Sequence, residues 1–441
     1  MRIAIIGTGY VGLVSGVCLA ELGHEVVCVD NNLDKVTRLQ AGEVPIYEPG
    51  LDRLCASNTG AGRLTFTNSL EEAVQDIALV MVAVGTPSAP SGEADLGFIH
   101  LAFDQLARVL PGPGLVVIKS TVPIGTNRSM ARRLKAAGRS DIEVVSNPEF
   151  LREGKAVEDF LEPDRVVVGL EGEAARPVLE ELYKPLTDRG FPLLITNRET
   201  AEIIKYAANA FLATKVAFIN QVADLCEVTG ADVEEVAQAI GLDKRIGQRF
   251  LRAGPGYGGS CFPKDTRALA WSARRFGRPV GIVESVIEEN EIRKRQMADR
   301  VVEACGGSVV GKRIAILGVA FKGGTDDTRE SPALVILPLL QEFGATLIAY
   351  DPAAMEMGAR QLPGVLWAES AMEALRDADA AVIVTEWEDF AALDLKAMAA
   401  ALRQPLVIDL RNLFDPEEAA AAGLDYISIG RRFVRASVSV L

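Results

Sequence analysis

The sequence predicts an α/β chain: two doubly wound parallel-sheet domains joined by a central helical domain with a long helix. Three observations predict it. From residue 1 to about 197, short apolar runs alternate with helix-like segments; residues 198–229 then contain neither glycine nor proline; and the alternation returns from about residue 311. Strand and helix in alternation imply parallel strands joined by crossover helices. Domains are therefore expected at 1–197, 198–305 and 306–441.

In the first region RIAIIG, HEVVCVD, IALVMVAVG, GLVVIKS, IEVVSN and RVVVGL read as strands. The first strand runs directly into GTGYVG (residues 7–12), a helix follows to about Leu22, and the second strand ends at Asp30. This order makes the region Rossmann-like and gives the glycines separate tasks. Gly7 makes the turn, Gly9 lets the backbone reach a pyrophosphate, and Gly12 lets the helix pack close to the strand. Asp30 is placed to accept the adenosine ribose hydroxyls. Asn31 and Asn32 follow it where an arginine would favour a 2′-phosphate, so NAD is expected over NADP.

The central region opens with RETAEIIKYAANAFLATKVAFINQVADLCEVTG, apolar on nearly every face and so expected to be a long helix buried on several sides. Lys205 and Asn209, four apart, share one of its faces. A later helix is expected in GRPVGIVESVIEENEIRKRQ. Between the two lies GPGYGGSCFPKD, residues 254–265, which sets Cys261 where the backbone bends freely and bulky neighbours are absent. Such a thiol is accessible to a ligand. The third region, GKRIAILGVAFKGG, ATLIAYDP, AAVIVTEW and PLVIDLRN, repeats the order of the first. The turn after its first strand lacks GxGxxG and carries Lys322, so a different phosphate-bearing ligand is expected there.

Composition bounds the partners. With 441 residues, 49% hydrophobic and 24% charged, the chain can bury substantial cores. A net charge of −14 argues against nucleic acid or an anionic membrane as a general partner, so an anionic ligand must be held by local donors. The apolar opening could be mistaken for a secretion signal, but its glycines follow the nucleotide-binding spacing. IALVMVAVG and ALVILPLL fall far short of the roughly 20 residues that cross a bilayer. Cys18, Cys28, Cys55, Cys226, Cys261 and Cys305 form no C-x-x-C and no metal-like spacing with His24 and His100, so no metal is expected and reduced cytoplasmic thiols fit. With so few histidines, proton transfer falls to carboxylate, lysine or thiol groups.

The chain resembles the UDP-glucose/GDP-mannose dehydrogenases over nearly its whole length, through GTGYVG, VGTP (84–87), KSTVPIGT (119–126), SNPEFLREG (146–154), AEIIKYAANAF, GPGYGGSCFPKD and FKGGTDDTRESP (321–332). NPEFLREG, EPDRVVVG and GGSCFPKD together look like the branch that acts on UDP-glucose. The resemblance implies a four-electron oxidation of a sugar C6 alcohol to a carboxylate with two NAD+. An aldehyde offers no good hydride until a nucleophile adds. A thiolate on Cys261 would trap it as a thiohemiacetal, from which the second hydride leaves, and water would hydrolyse the thioester.

Carried over by position, Lys205 and Asn209 would stabilise the oxyanion at C6, Asp265 would position or deprotonate the hydrolytic water, and Glu149 and Thr121 would hold water and pass protons. The base of the first hydride step stays open between Lys205, Glu149 and a water. Val11, Lys35, Thr86, Thr121, Glu153, Lys264 and Arg329 would join Gly7, Gly9, Tyr10, Gly12 and Asp30 along the cofactor. Glu149, Phe150, Leu151, Arg152, Lys205 and Asn209 would border the sugar nucleotide, and so would the loop containing Phe250, Leu251, Arg252 and Gly258, with Phe321 and Lys322 from the third domain. Arg245 resembles a residue that reaches the substrate across a homodimer interface. Tyr257 stands where the resemblance leads one to expect phenylalanine. Competing expectations are oxidation of GDP-mannose or a UDP-N-acetylhexosamine, and a non-catalytic nucleotide-sugar-binding protein, which would have no need of Cys261, Lys205, Asn209 and Asp265 together.

Overall fold

A computed structural model of the protein describes residues 1–436. The chain folds into two compact units, one of residues 1–208 with 268–278 and one of residues 209–267 with 279–441.

The first unit is built on an eight-stranded sheet of β1 (Arg2–Ile6), β2 (Glu25–Val29), β3 (Leu64–Thr67), β4 (Leu79–Val82), β5 (Gly114–Ile118), β6 (Ile142–Ser146), β7 (Val166–Leu170) and β8 (Leu193–Asn197). Its order is β3-β2-β1-β4-β5-β6-β7-β8. The six leading strands are parallel, with Arg2 opposite Glu25 and Ile6 opposite Val29, which sets the glycine turn after β1 beside Asp30 after β2. Successive residues feed opposite faces: Ile3 and Ile5 enter one apolar cluster, Ala4 and Ile6 the other. β7 runs antiparallel to β6 and β8 follows β7. The connection between β6 and β7 carries one short helix, Ala156–Leu161.

The second unit holds β9 (Arg313–Leu317), β10 (Thr346–Tyr350), β11 (Leu366–Trp367), β12 (Ala380–Ile383), β13 (Leu406–Asp409) and β14 (Asp425–Ser428), in the order β11-β10-β9-β12-β13-β14. All its pairs are parallel. Strand for strand this is the order of the first six strands of the other sheet.

The long helix spans Arg198–Thr229 and a second runs over Gly281–Ala304. Within the second unit they hold the glycine loop between them. Asn220 accepts from Gly254 N at 2.8 Å, Asn290 accepts from Tyr257 N at 2.8 Å and donates to its carbonyl at 3.0 Å, and Arg293 Nε donates to Gly254 O at 3.1 Å. Gly256 is left-handed at φ +111°, and a Cβ there would lie 2.8 Å from Asn290 Oδ1. The loop is therefore clamped by buried side chains. The long helix is buried along part of its girth and exposes Phe211, Phe218, Leu225 and Val228.

Candidate active site

In the first unit the expected residues gather at the carboxyl ends of adjacent parallel strands, where open α/β sheets bind ligands. Gly7 to Gly12 follow β1, Asp30 follows β2, Thr86 lies just beyond β4, Thr121 beyond β5 and Glu149 beyond β6. The helix Tyr10–Glu21 begins at Gly9 with no side-chain cap, and a Cβ at Gly9 would meet nothing within 4 Å. At Gly12, by contrast, a Cβ would sit 1.9 Å from the carbonyl oxygen of Gly7. An uncapped helix end facing open space, with an acid at the next strand, suits a dinucleotide pyrophosphate and ribose. Asp30 accepts from Thr8 N at 2.9 Å, Thr8 Oγ1 at 2.6 Å and Lys35 Nζ at 3.2 Å. Thr86 Oγ1 donates to the Thr121 carbonyl at 2.8 Å.

The NPEFLREG segment forms the second half of this unit's site. Lys205 Nζ donates to Glu149 Oε1 at 2.8 Å, with both side chains at most 5% exposed. The second oxygen of Glu149 accepts from Leu151 N at 2.5 Å. Burial alone would raise the Glu149 carboxyl; the charge and hydrogen bond of Lys205, the Leu151 amide and the charge of Lys119 outweigh it and hold it below its ordinary range. Phe150 lies between cations, 3.6 Å from the Arg165 guanidinium and 5.6 Å from Lys205 Nζ to the ring centre. Arg152 is turned to Asp159, which it meets with its backbone amide at 2.8 Å and its guanidinium at 2.5 Å. Glu153 is buried and Val11 half-buried.

In the second unit Cys261 immediately precedes the helix Phe262–Arg275, where the helix dipole favours negative charge. Asp265 N donates to the Cys261 carbonyl at 2.8 Å, one turn on. The Asp265 carboxylate, 1% exposed, accepts from Asn209 Nδ2 at 2.6 Å and from Lys264 Nζ at 2.7 Å. The loop packs on the turn after β9: a Cβ at Gly258 would lie 3.1 Å from Phe321 Cβ, and Gly259 N donates to the Arg329 carbonyl at 2.8 Å. Arg329's own guanidinium turns to Asp327 at 2.7 Å, and Lys322 Nζ stands 5.5 Å from the Phe321 ring centre. Phe250, left-handed at φ +65°, has its ring 5.8 Å from Phe262. Leu251 is buried. Tyr257, the departure noted in the sequence, stacks edge-on to Phe262 at 6.0 Å. Arg245 stands apart, its side chain 88% exposed and paired only locally with Asp243. The other five cysteines are buried.

Three residues beside these clusters were given no role by the motifs. Lys119 is buried, donates to Asn147 Oδ1 at 3.2 Å and stands over the Phe160 and Tyr183 rings. Burial pushes it down to about 8 despite Glu149, with Lys205 pushing the same way. Arg411 donates to the Phe321 and Val384 carbonyls at 2.8 Å and pairs with Glu386 at 3.0 Å. Arg252 lies close enough for its charge to act on Arg411. Glu48 ties the backbone of residues 154–157 to the Tyr10 hydroxyl, as described below. None carries a spacing signal, because each acts on backbone or on a partner far away in sequence.

Residues 1–187 match the NAD binding domain of the UDP-glucose/GDP-mannose dehydrogenase family, residues 199–292 its central domain and residues 315–416 its UDP binding domain. The UDP-glucose 6-dehydrogenase of Rhizobium meliloti (strain 1021) is 50% identical over 435 residues, covering 98% of this chain and 100% of that protein. UDP-glucose 6-dehydrogenase TuaD of Bacillus subtilis (strain 168) is 47% identical, over 98% and 94%. Among solved structures, a UDP-glucose dehydrogenase from the archaeon Pyrobaculum islandicum matches with a TM-score of 0.89 at 40% identity, over 97% of this chain and 96% of that one. Among the described residues no helix is long and apolar enough to cross a membrane.

Proposed function

We propose, because this chain belongs to the UDP-glucose/GDP-mannose dehydrogenase family, that it oxidises UDP-glucose at C6 to UDP-glucuronate with two NAD+. The observation that carries the reading is the buried Asp265 carboxylate held at 2.6 Å by Asn209, one helical turn after Cys261. Nucleophile, oxyanion donor and a carboxylate for water thus belong to one loop and the two helices beside it.

Held by the glycine-rich turn and Asp30, NAD+ would supply the hydride acceptor for both oxidations. In the first, the alcohol loses its proton and a hydride to give the aldehyde. The sulfur of Cys261 then adds to the aldehyde carbon, forming a C–S bond and an alkoxide that Asn209 and Lys205, on one face of the long helix, are placed to stabilise. Loss of the second hydride leaves a thioester. Water activated by Asp265 adds to it, the C–S bond breaks, and carboxylate and thiol are released. Glu149 and Thr121 hold water and relay protons. Phe150, Leu151, Arg152, Phe250, Leu251, Arg252, Gly258, Phe321 and Lys322 border the nucleotide sugar, and Glu153, Lys264 and Arg329 approach the cofactor.

We assign residues 1–197 to cofactor binding, 198–305 to dimerisation and catalysis, and 306–441 to the uridine diphosphate. Homodimerisation is supported by the stripe Phe211, Phe218 and Leu225, seven residues apart along the long helix and each more than half exposed, and by Arg245, whose exposed side chain is held by its near neighbour Asp243. Sedimentation showing an active monomer at assay concentration would rule it out. For the reaction, NADH formed per UDP-glucose consumed is expected to be two, and Cys261→Ala is expected to abolish net conversion to UDP-glucuronate. A ratio of one, or faster oxidation of GDP-mannose or a UDP-N-acetylhexosamine, would refute it.

A further inference from the structure

Glu48 lies in EVPIYEPG, between β2 and β3, in a segment that no motif assigns. Its residue is 6% exposed, and both carboxylate oxygens are engaged by groups far away in sequence. Oε1 accepts from Ala156 N at 2.7 Å and Val157 N at 3.4 Å; Oε2 accepts from Gly154 N at 2.7 Å and from the Tyr10 hydroxyl. Gly154 N also reaches Tyr10 Oη at 3.1 Å.

Tyr10 is the first residue of the helix that leaves the glycine-rich turn. Residues 154–157 are the turn and first residues of the short helix Ala156–Leu161, whose own N-cap, Lys155, supplies no side-chain bond. Glu48 fills that end. The same helix carries Asp159, which holds Arg152 by its amide at 2.8 Å and its guanidinium at 2.5 Å. Hydrogen bonds therefore run without a break from the pyrophosphate turn through Tyr10 and Glu48 to the segment that carries Arg152 and Glu153. Of the two helix ends, one is filled by an internal carboxylate and the other, at Gly9, has no side-chain cap and faces open space.

We propose that Glu48 is a positioning residue for the cofactor: its buried carboxylate, through Tyr10 and the backbone of residues 154–157, fixes the Arg152–Glu153 segment against the glycine-rich turn. This rests on the reading above that Glu153 and Arg152 face cofactor and substrate. A carboxylate is required because three N–H groups and a hydroxyl all donate to it. Glutamine has the same shape but turns an NH2 towards donors on one side, so Glu48→Gln displaces the segment while leaving the apolar packing alone.

The test is NAD+ affinity and steady-state kinetics of the full-length protein as wild type, Glu48→Gln, Tyr10→Phe and the double variant. Glu48→Gln is expected to raise Kd and KM for NAD+ roughly tenfold, the scale of one charge-assisted hydrogen bond, with kcat changed less than about threefold. Tyr10→Phe should move both constants the same way by roughly threefold, and the double variant should be no worse than Glu48→Gln, because the two act as one unit. Wild-type NAD+ affinity in Glu48→Gln, additive effects in the double variant, or lowered thermal stability with unchanged KM would each overturn the proposal. Should Glu48→Gln not fold, Tyr10→Phe decides alone, and wild-type affinity there overturns it. A wild type that fails to oxidise UDP-glucose contradicts the functional reading instead, so the two failures are distinguishable.

Discussion

The two sheets share a strand order and differ at the acid that ends their second strand. Asp30, after β2, keeps its side chain 11% exposed beside an uncapped helix end. Asp351, after β10, is 1% exposed and saturated: Val319 N and Ala320 N donate to one oxygen at 2.7 and 3.0 Å, with Trp387 Nε1 at 3.2 Å, and Ala353 N and Ala354 N to the other at 3.0 and 2.8 Å. Both turns keep a left-handed glycine, Gly7 at φ +97° and Gly318 at φ +94°. The second turn then replaces Gly9 by Ala320 and delays its helix to Ala333. One layout thus serves two purposes. Where the acid and helix end stay accessible the turn can hold a dinucleotide; where indole and amides consume the acid, the turn becomes a rigid support for Phe321 and Lys322.

Removing each acid is the sharpest way to break this comparison. Asp351→Ala strands five donors, four of them buried, and is expected to lower unfolding free energy by about 3–5 kcal/mol, whereas Asp30→Ala, which strands mainly the two Thr8 donors, should cost less, about 1–2 kcal/mol. Denaturant unfolding of both checks it, and equal losses would erase the distinction. Function should sort the opposite way. Asp30→Ala is expected to lower kcat/KM for NAD+ by roughly 10- to 100-fold and erode the preference over NADP+, since ribose hydroxyls lose their acceptor. Equal kcat/KM for the two cofactors in the unmutated protein would contradict this.

A methyl group probes the same space more gently. Because a Cβ at Gly9 meets no protein atom, Gly9→Ala should keep its melting temperature within a degree or two yet raise KM for NAD+ about tenfold by crowding the pyrophosphate. Unchanged KM would mean that the space is not used.

The smallest contrast is in pH. Burial would raise the Asp30 carboxyl, but Thr8, the Asn32 amide and Lys35 together hold it below its ordinary range. A depressed folded pKa contributes stability above the unfolded value of about 4, lost as pH falls through the folded value. Asp409, after β13, is pushed up by burial despite Tyr426 and the Arg411 and Leu413 amides. Its sign is reversed: the contribution is full below the unfolded value and lost as pH rises through the folded one. Below about pH 4 the wild type's advantage over Asp30→Asn should therefore shrink, while its standing relative to Asp409→Asn improves. Parallel trends in unfolding curves from pH 6 to 3 would contradict the assignment.

The apolar runs made the inner strands legible, and four strands escaped. They are β3, β8, β11 and β14, the outer strands of the two sheets. An edge strand needs less apolar sequence to be held, and β11 has only two residues. The antiparallel return at β7 was hidden too, because RVVVGL is apolar throughout and carries no mark of strand direction. At the site, glycine spacing and the four-residue interval from Lys205 to Asn209 could be read directly. Glu48, Lys119 and Arg411 could not. Each acts on backbone carbonyls or amides, or on groups distant in sequence, and such partners leave no local pattern.

The central claim is that Cys261 carries the sugar through the second oxidation and that Asp265 serves only the hydrolysis. Asp265→Asn keeps the thiol, so NADH should appear in a burst of up to about two per active site before a slow phase limited by water attack. Mass spectrometry of that reaction, quenched in the slow phase, tests the claim most directly. The account predicts a UDP-glucuronyl adduct located on Cys261; an adduct on any other residue, or no adduct despite a burst, would contradict it.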